Sequence, residues 1–261
     1  MGIAQAGVAF RPTTPIVDFG ELVSRLFNED ANEIAHPNHR EFDIRKPTDV
    51  MVQMFGDVCF ICNDKLAWGL LENQEADTSE LYRALGGPEL ILAFCQYESG
   101  GSYGYTFIEN GRRTRSRLQT TGIPSLPPLR ESGTPKEFEN RWLSAEFYLE
   151  EDDCPVEERQ KIFWQGEPRI DVPEYYLTGR MLYEALQLYF SVCPWETSVE
   201  PEYRFFKLAP ATIPDLTTAA PISPVSLPSA QVARAAPAPV FISPFTSAPP
   251  PPAKKRPWWK F

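Results

Sequence analysis

The sequence predicts one α+β domain over residues 1–208, with a mixed or antiparallel sheet flanked by a few helices. A disordered proline-rich tail is expected over residues 209–261. Three observations carry this. Apolar runs of strand type, broken by glycine and by one Asn-Gly pair, recur through the first half of the chain, as strands joined by tight turns require. Segments with helical apolar spacing are interspersed among them. After Leu208 the composition changes: thirteen of the chain's 27 prolines lie in the last 53 residues, with no glycine among them.

Residues 1–11 alternate as a strand does, with Ile3, Val8 and Phe10 apolar, and Pro12 and Pro15 end the run. Asp18 has N-cap chemistry, and Glu21 stands three residues later at capping-box spacing. The helix that follows shows Leu22, Val23, Leu26 and Phe27 on one face, and a polar loop through His36 closes the segment. Residues 50–63 read as one or two strands about Gly56. Residues 78–85 form a short helix capped by Thr78 or Ser79 and stopped by Gly86-Gly87-Pro88. Residues 89–97 are almost unbroken apolar sequence, as in a central strand buried on both faces.

Residues 103–109 and 113–119 flank Asn110-Gly111, which tolerates the positive φ angles of a tight hairpin turn. Pro124, Pro127 and Pro128 mark a loop. A helix is expected over residues 134–148, with Phe138, Trp142 and Phe147 apolar. The last helix falls within residues 171–188, and Met181, Leu182, Ala185, Leu186 and Tyr189 form its stripe. A final extended segment spans 203–208. The tail's prolines favour extended polyproline conformers without a hydrogen-bonded ladder.

Charge divides the chain at the same place. The tail holds five basic residues against Asp215 and is +4, which leaves −14 of the net −10 on the first 208 residues. A domain that acidic repels nucleic-acid phosphates and selects basic partners. No apolar run reaches membrane-spanning length and no basic-then-apolar export segment opens the sequence, so the cytoplasm is expected. The five cysteines, an odd number, read as free thiols.

Several of these features, in order, resemble a group of uncharacterised bacterial proteins across residues 1–190. They are the Met-Gly strand, the Leu22/Leu26 helix, Cys95-Gln96-Tyr97-Glu98 at a strand end, the Asn110-Gly111 hairpin with Arg112-Arg113, Gly133-Thr134-Pro135-Lys136-Glu137-Phe138-Glu139, and Asp171-Val172-Pro173. The chain departs from that group at Tyr97-Glu98, where a second acid is usual, and by an inserted loop around residues 122–132. The resemblance implies a single α+β domain and no activity, cofactor or site residue.

Candidate chemistry in the domain is sparse. Cys59-Phe-Ile-Cys62 has redox or zinc spacing, but a strand sends positions i and i+3 to opposite faces, so two core cysteines are expected. His36 and His39 are the sole histidines and too few for a metal site on their own. Ser99-Gly-Gly-Ser-Tyr-Gly104 resembles a phosphate loop but leads into a strand rather than a helix, which favours a turn. On a strand Arg113, Arg115 and Arg117 share one face. They are the candidate anion-binding residues, weighed against a solvated strand face. With Glu98 they define the alternative function, a hydrolase or anion-binding enzyme. No catalytic residue, metal ligand or cofactor is assigned.

The tip is the least ordinary feature. Lys254, Lys255, Arg256, Trp258, Trp259, Lys260 and Phe261 place cations and aromatics where no core of their own can bury them. Tryptophan and arginine are frequent interface anchors. The expected function is therefore non-enzymatic: a protein-interaction module presenting this tethered motif to a partner protein. Weak membrane-surface contact and docking on the chain's own Glu150, Glu151, Asp152 and Asp153 are the competing uses.

Overall fold

The computed structural model describes residues 3–38, 41–121, 123–151 and 153–209. The proline-rich segment, its tip, His39 and Asp152 lie outside the described residues. The fold is α+β, built on a nine-stranded sheet. Its strands are β1 (Ala4–Phe10), β2 (Asp30–Ile34), β3 (Asp49–Phe55), β4 (Val58–Cys62), β5 (Leu90–Tyr97), β6 (Ser102–Glu109), β7 (Arg112–Thr120), β8 (Leu129–Gly133) and β12 (Glu202–Ala209), in the order β2-β12-β3-β4-β1-β5-β6-β7-β8. Every neighbouring pair is antiparallel. A smaller antiparallel sheet orders β11 (Ile170–Pro173), β10 (Lys161–Gln165) and β9 (Phe147–Leu149).

Helices cover both faces of the large sheet. On one, α4 (Glu137–Leu143) and α5 (Leu177–Phe190) bury Trp142, Met181, Leu182 and Leu186 against Phe60, Leu92, Phe94, Tyr105 and Phe107. On the other, α1 (Phe19–Phe27), α2 (Asp64–Glu72) and α3 (Ser79–Ala84) pack Leu22, Val23, Leu70 and Leu81 against Val8, Phe10, Ile61, Ile91 and Ala93. β5 is therefore apolar on both sides, as its unbroken run requires.

Local chemistry explains most of the boundaries. The Asp18 carboxylate accepts from the Glu21 amide and starts α1, and Asn28 ends it at φ 53°. Asn110 (φ 49°) and Gly111 (φ 78°) make the β6–β7 turn with Glu109 opposite Arg112. Gly56 at φ 62° turns β3 into β4. Thr78 precedes α3 but does not cap it: its hydroxyl donates to the Gly111 carbonyl, while Asp77 accepts from the Ser79 amide.

Three expectations need correction. The helix expected through residue 148 stops at Leu143, and Phe147 pairs with Phe163 of β10 instead. The loop after Phe27 contains β2, and the proline-marked loop is followed by β8. A further helix, α2, starts where the Asn63 side chain accepts from the Leu66 amide. β2 and β8 were hidden because both are edge strands with mostly polar, exposed residues.

Candidate functional site

The three arginines of β7 were expected on one face. They are not, because the pairing with β6 slips between Phe107 and Ile108: Phe107 faces Arg115 while Ile108 faces Arg113. Thr114 is the extra residue of this bulge, so the strict alternation breaks at that point. Across β7, a Cβ on Gly133 of β8 would lie 2.0 Å from the Thr114 carbonyl oxygen, so the neighbouring strand can approach the bulge only as glycine.

Arg113 is thereby turned to the α2 side. Its guanidinium donates to the Leu70 carbonyl at 2.7 Å and the Asn73 carbonyl at 3.1 Å, closing the C-terminal end of α2. Burial pulls its pKa down, with Glu75 opposing.

Arg115 and Arg117 lie on the α5 side and are 2% and 3% exposed, so the solvated-face expectation fails for both. Arg115 donates to Glu139 at 2.8 Å and to Glu131 at 2.5 Å. Arg117 shares Glu131 at 2.5 Å and donates to the Thr178 hydroxyl at 2.9 Å. Tyr105 donates to Glu139 at 2.5 Å. The Lys136 amide also donates to Glu139 at 2.5 Å, which ties the network to the start of α4.

Two guanidinium groups thus meet two carboxylates. Burial works against the charge on Arg115, but its hydrogen bonds to Glu139 and Glu131 outweigh it and raise the pKa. Burial likewise resists the charge on Glu131, yet Arg115 and Arg117 hold its carboxyl below the usual range. The Tyr105 hydroxyl is pushed far up by burial and by Glu139. This arrangement locks β7, β8, α4 and α5 together. An anion arriving here would have to displace carboxylates already in place.

Glu98 does not join it. It stands at the β5–β6 turn, where its carboxylate accepts from the Ile3 amide at 3.0 Å, at the opposite end of β6 from Asn110 and Arg113. The glycine-rich segment is that turn, with Gly101 at φ 56°. Among the described residues, open depressions of about 210–720 Å³ occur on the surface. They are lined chiefly by the 12–18 segment, α1 and α3, and none includes a residue from 95–117.

The cysteine pair sits as strand geometry dictates. Cys59 belongs to the core beneath α1 and Cys62 to the core beneath α5. Burial pushes the Cys62 thiol up to about 12 and Cys59 higher still. Among the described residues no group of three or more His, Cys, Asp and Glu could hold a metal ion. Glu150, Glu151 and Asp153 of the acidic loop are exposed. Among the described residues no helix is long and apolar enough to cross a membrane. No family model, curated protein or solved structure matches the chain.

Sequence reasoning missed the partners of the arginines. In the sequence Glu139 stands out only as the last residue of the Gly133-Thr134-Pro135-Lys136-Glu137-Phe138-Glu139 run. The available signal was its place three residues into α4, on the same helical stripe as the apolar Phe138 and Trp142, where a carboxylate must be buried and therefore paired.

Proposed function

We propose that this protein is a non-enzymatic interaction module whose C-terminal motif binds a protein partner. The observation that carries the reading is the sequence of residues 254–261: four cations interleaved with Trp258, Trp259 and Phe261, following a proline-rich spacer and opposed in sign to a −14 domain. The two tryptophans and Phe261 would fill apolar pockets on the partner, and Lys254, Lys255, Arg256 and Lys260 would meet an acidic rim. A proline-rich spacer would limit the ordering cost of binding.

The domain's own chemistry supports the same reading by being occupied. Arg113, Arg115 and Arg117 all have internal partners, and Glu98 lies away from them.

The test is affinity capture with the full chain and with a chain lacking residues 250–261. Loss of specific partners on deletion is expected. An unchanged set of partners would overturn the proposal. Co-sedimentation of the two chains with anionic vesicles separates the competing membrane use, which predicts retention that depends on the tip. A rise in capture when Glu150 and Glu151 are made neutral would show that the tip docks on the acidic loop in competition with a partner.

A further inference from the structure

The segment after β1 stands as a wall with open depressions around it. The pairing of β1 ends at Phe10, and Pro12 and Pro15, which have no N–H, cannot extend it. Among the described residues no main-chain hydrogen bond joins Pro12–Val17 to the rest of the domain. The segment is pinned by the Thr13 hydroxyl, which donates to the Gly86 carbonyl at 2.9 Å. Three depressions, of about 210, 380 and 440 Å³, all touch Pro12 and Thr13 and so form one furrowed surface around the wall.

The floors are apolar and the rim is acidic. Ile16, Phe19 and Met54 line one depression, and Leu90 and Phe190 another. Val17, at the edge of the third, is 97% exposed. Five carboxylates, of Asp18, Glu21, Asp57, Glu89 and Glu202, stand around the furrow against Arg11 and Arg25, a net −3. Both arginines are engaged, Arg11 with Asp57 at 3.0 Å and Arg25 with the Ala84 carbonyl at 3.0 Å. A ligand that fits here brings apolar groups for the floors and positive charge for the rim.

We propose that the furrow around Pro12–Val17 receives the chain's own residues 254–261, an inference that rests on reading those residues as a binding motif. They carry four cations and three aromatic rings, the complement of an acidic rim over apolar floors. The 44 residues from 210 to 253 lie between β12 and the motif. Fully extended they span at most about 150 Å, many times the ~17 Å radius of gyration of a 200-residue domain, so every face is within reach. Tethering also supplies a high effective concentration, which lets a weak contact be occupied. The acidic loop at Glu150 offers charge alone, whereas the furrow offers charge and a seat for rings. Docking here masks the motif, and an outside partner binds in competition with the furrow.

The experiment titrates a synthetic peptide of residues 250–261 into the full chain and into the chain lacking those residues, both nitrogen-15 labelled. The shortened chain is expected to bind the peptide with amide shifts at Ile16, Val17 and Asp57. The full chain, its furrow filled by its own tip, should bind at least about tenfold more weakly. Asp57→Asn with Glu202→Gln, both on the exposed rim, should weaken peptide binding about two- to fivefold and raise capture of partners by the full chain. Replacing both tryptophans of the peptide by alanine should abolish binding, a readout that needs no variant of the domain. No binding, equal affinity for the two chains, or shifts confined to residues 150–153 would overturn the proposal. Partner capture is read separately: capture that depends on the tip, without peptide binding, sinks this inference and leaves the interaction reading standing. Peptide binding in the furrow without such capture does the reverse.

Discussion

Arg115 and Arg117 on β7 and Gln96 on β5 occupy the same face of one sheet, two strands apart, and are equally hidden from water. The arginines are surrounded by partners: Glu131, Glu139 and Thr178 meet their donors at 2.5 to 2.9 Å. Gln96 has only the nearby Tyr176 hydroxyl, on which its amide acts without full hydrogen-bond geometry. The difference follows from the cost of burial. A guanidinium taken out of water without a counter-ion costs far more than an amide in the same position. Charge on this face must therefore be matched inside the fold. A neutral amide can be left without full hydrogen-bond geometry at a cost the fold survives.

The largest expected effect breaks the arginine side of this comparison. Glu139→Ala leaves Arg115 and the Tyr105 hydroxyl short of a buried partner and should destabilise the domain by about 3–5 kcal/mol in denaturant unfolding. Replacing Arg115 and Glu139 together by apolar residues of similar volume should cost much less than the single change. A single and a double variant of equal stability loss would show that the network owes its value to packing alone.

A second effect asks whether uncharged groups on this face also resist ionisation. Cys62 and Cys193 are buried under α5, and burial pushes both thiols up to about 12. Their folded pKa exceeds the unfolded value of 9.0, so the stabilisation is complete below pH 9 and is lost as pH rises towards 12. Unfolding free energy should fall by about 1 kcal/mol per pH unit above pH 9 for Cys62 alone. Cys62→Ala, though less stable at pH 7, should show a flatter decline. An identical slope would remove the thiol from the account.

The smallest effects concern Gln96 and Glu131. Gln96→Leu should change stability by less than about 1 kcal/mol, with no loss, because it removes two unpaired polar atoms and keeps the volume. Glu131 is about one-third exposed and its folded pKa lies below 4.5, so its stabilisation is present above that value and fades as pH falls below it. Glu131→Gln should therefore flatten the acid limb of stability below about pH 4.5 while leaving neutral stability lowered by about 1 kcal/mol or less, measured by urea unfolding across pH.

Much of the architecture was legible residue by residue. The Asp18 cap, the Asn110-Gly111 turn, the doubly apolar β5 and the α5 stripe each express a preference within a few positions. The polar edge strands β2 and β8 carry no apolar alternation, and the small β9–β11 sheet is assembled from runs of three to five residues. β2 pairs with the far end of the domain through β12, whereas β8 and the β9–β11 sheet pair with neighbours in sequence but are too short or too polar to show a strand pattern. Helix α2 could have been read: Asn63 at the cap and Ala67, Leu70 and Leu71 at helical spacing were all present.

By itself the sequence determined the fold class, the start and stop of the principal elements, and the charge boundary that isolates the C-terminal motif. These rest on local conformational preference and on counting. Only the tertiary structure decided what the polar residues face. One bulge at Thr114 sent Arg113 to one side and Arg115 and Arg117 to the other, and the pairing of β1 with β5 set Gln5 beside Gln96. Burial and partnership belong to contacts between distant segments, and no local pattern encodes them.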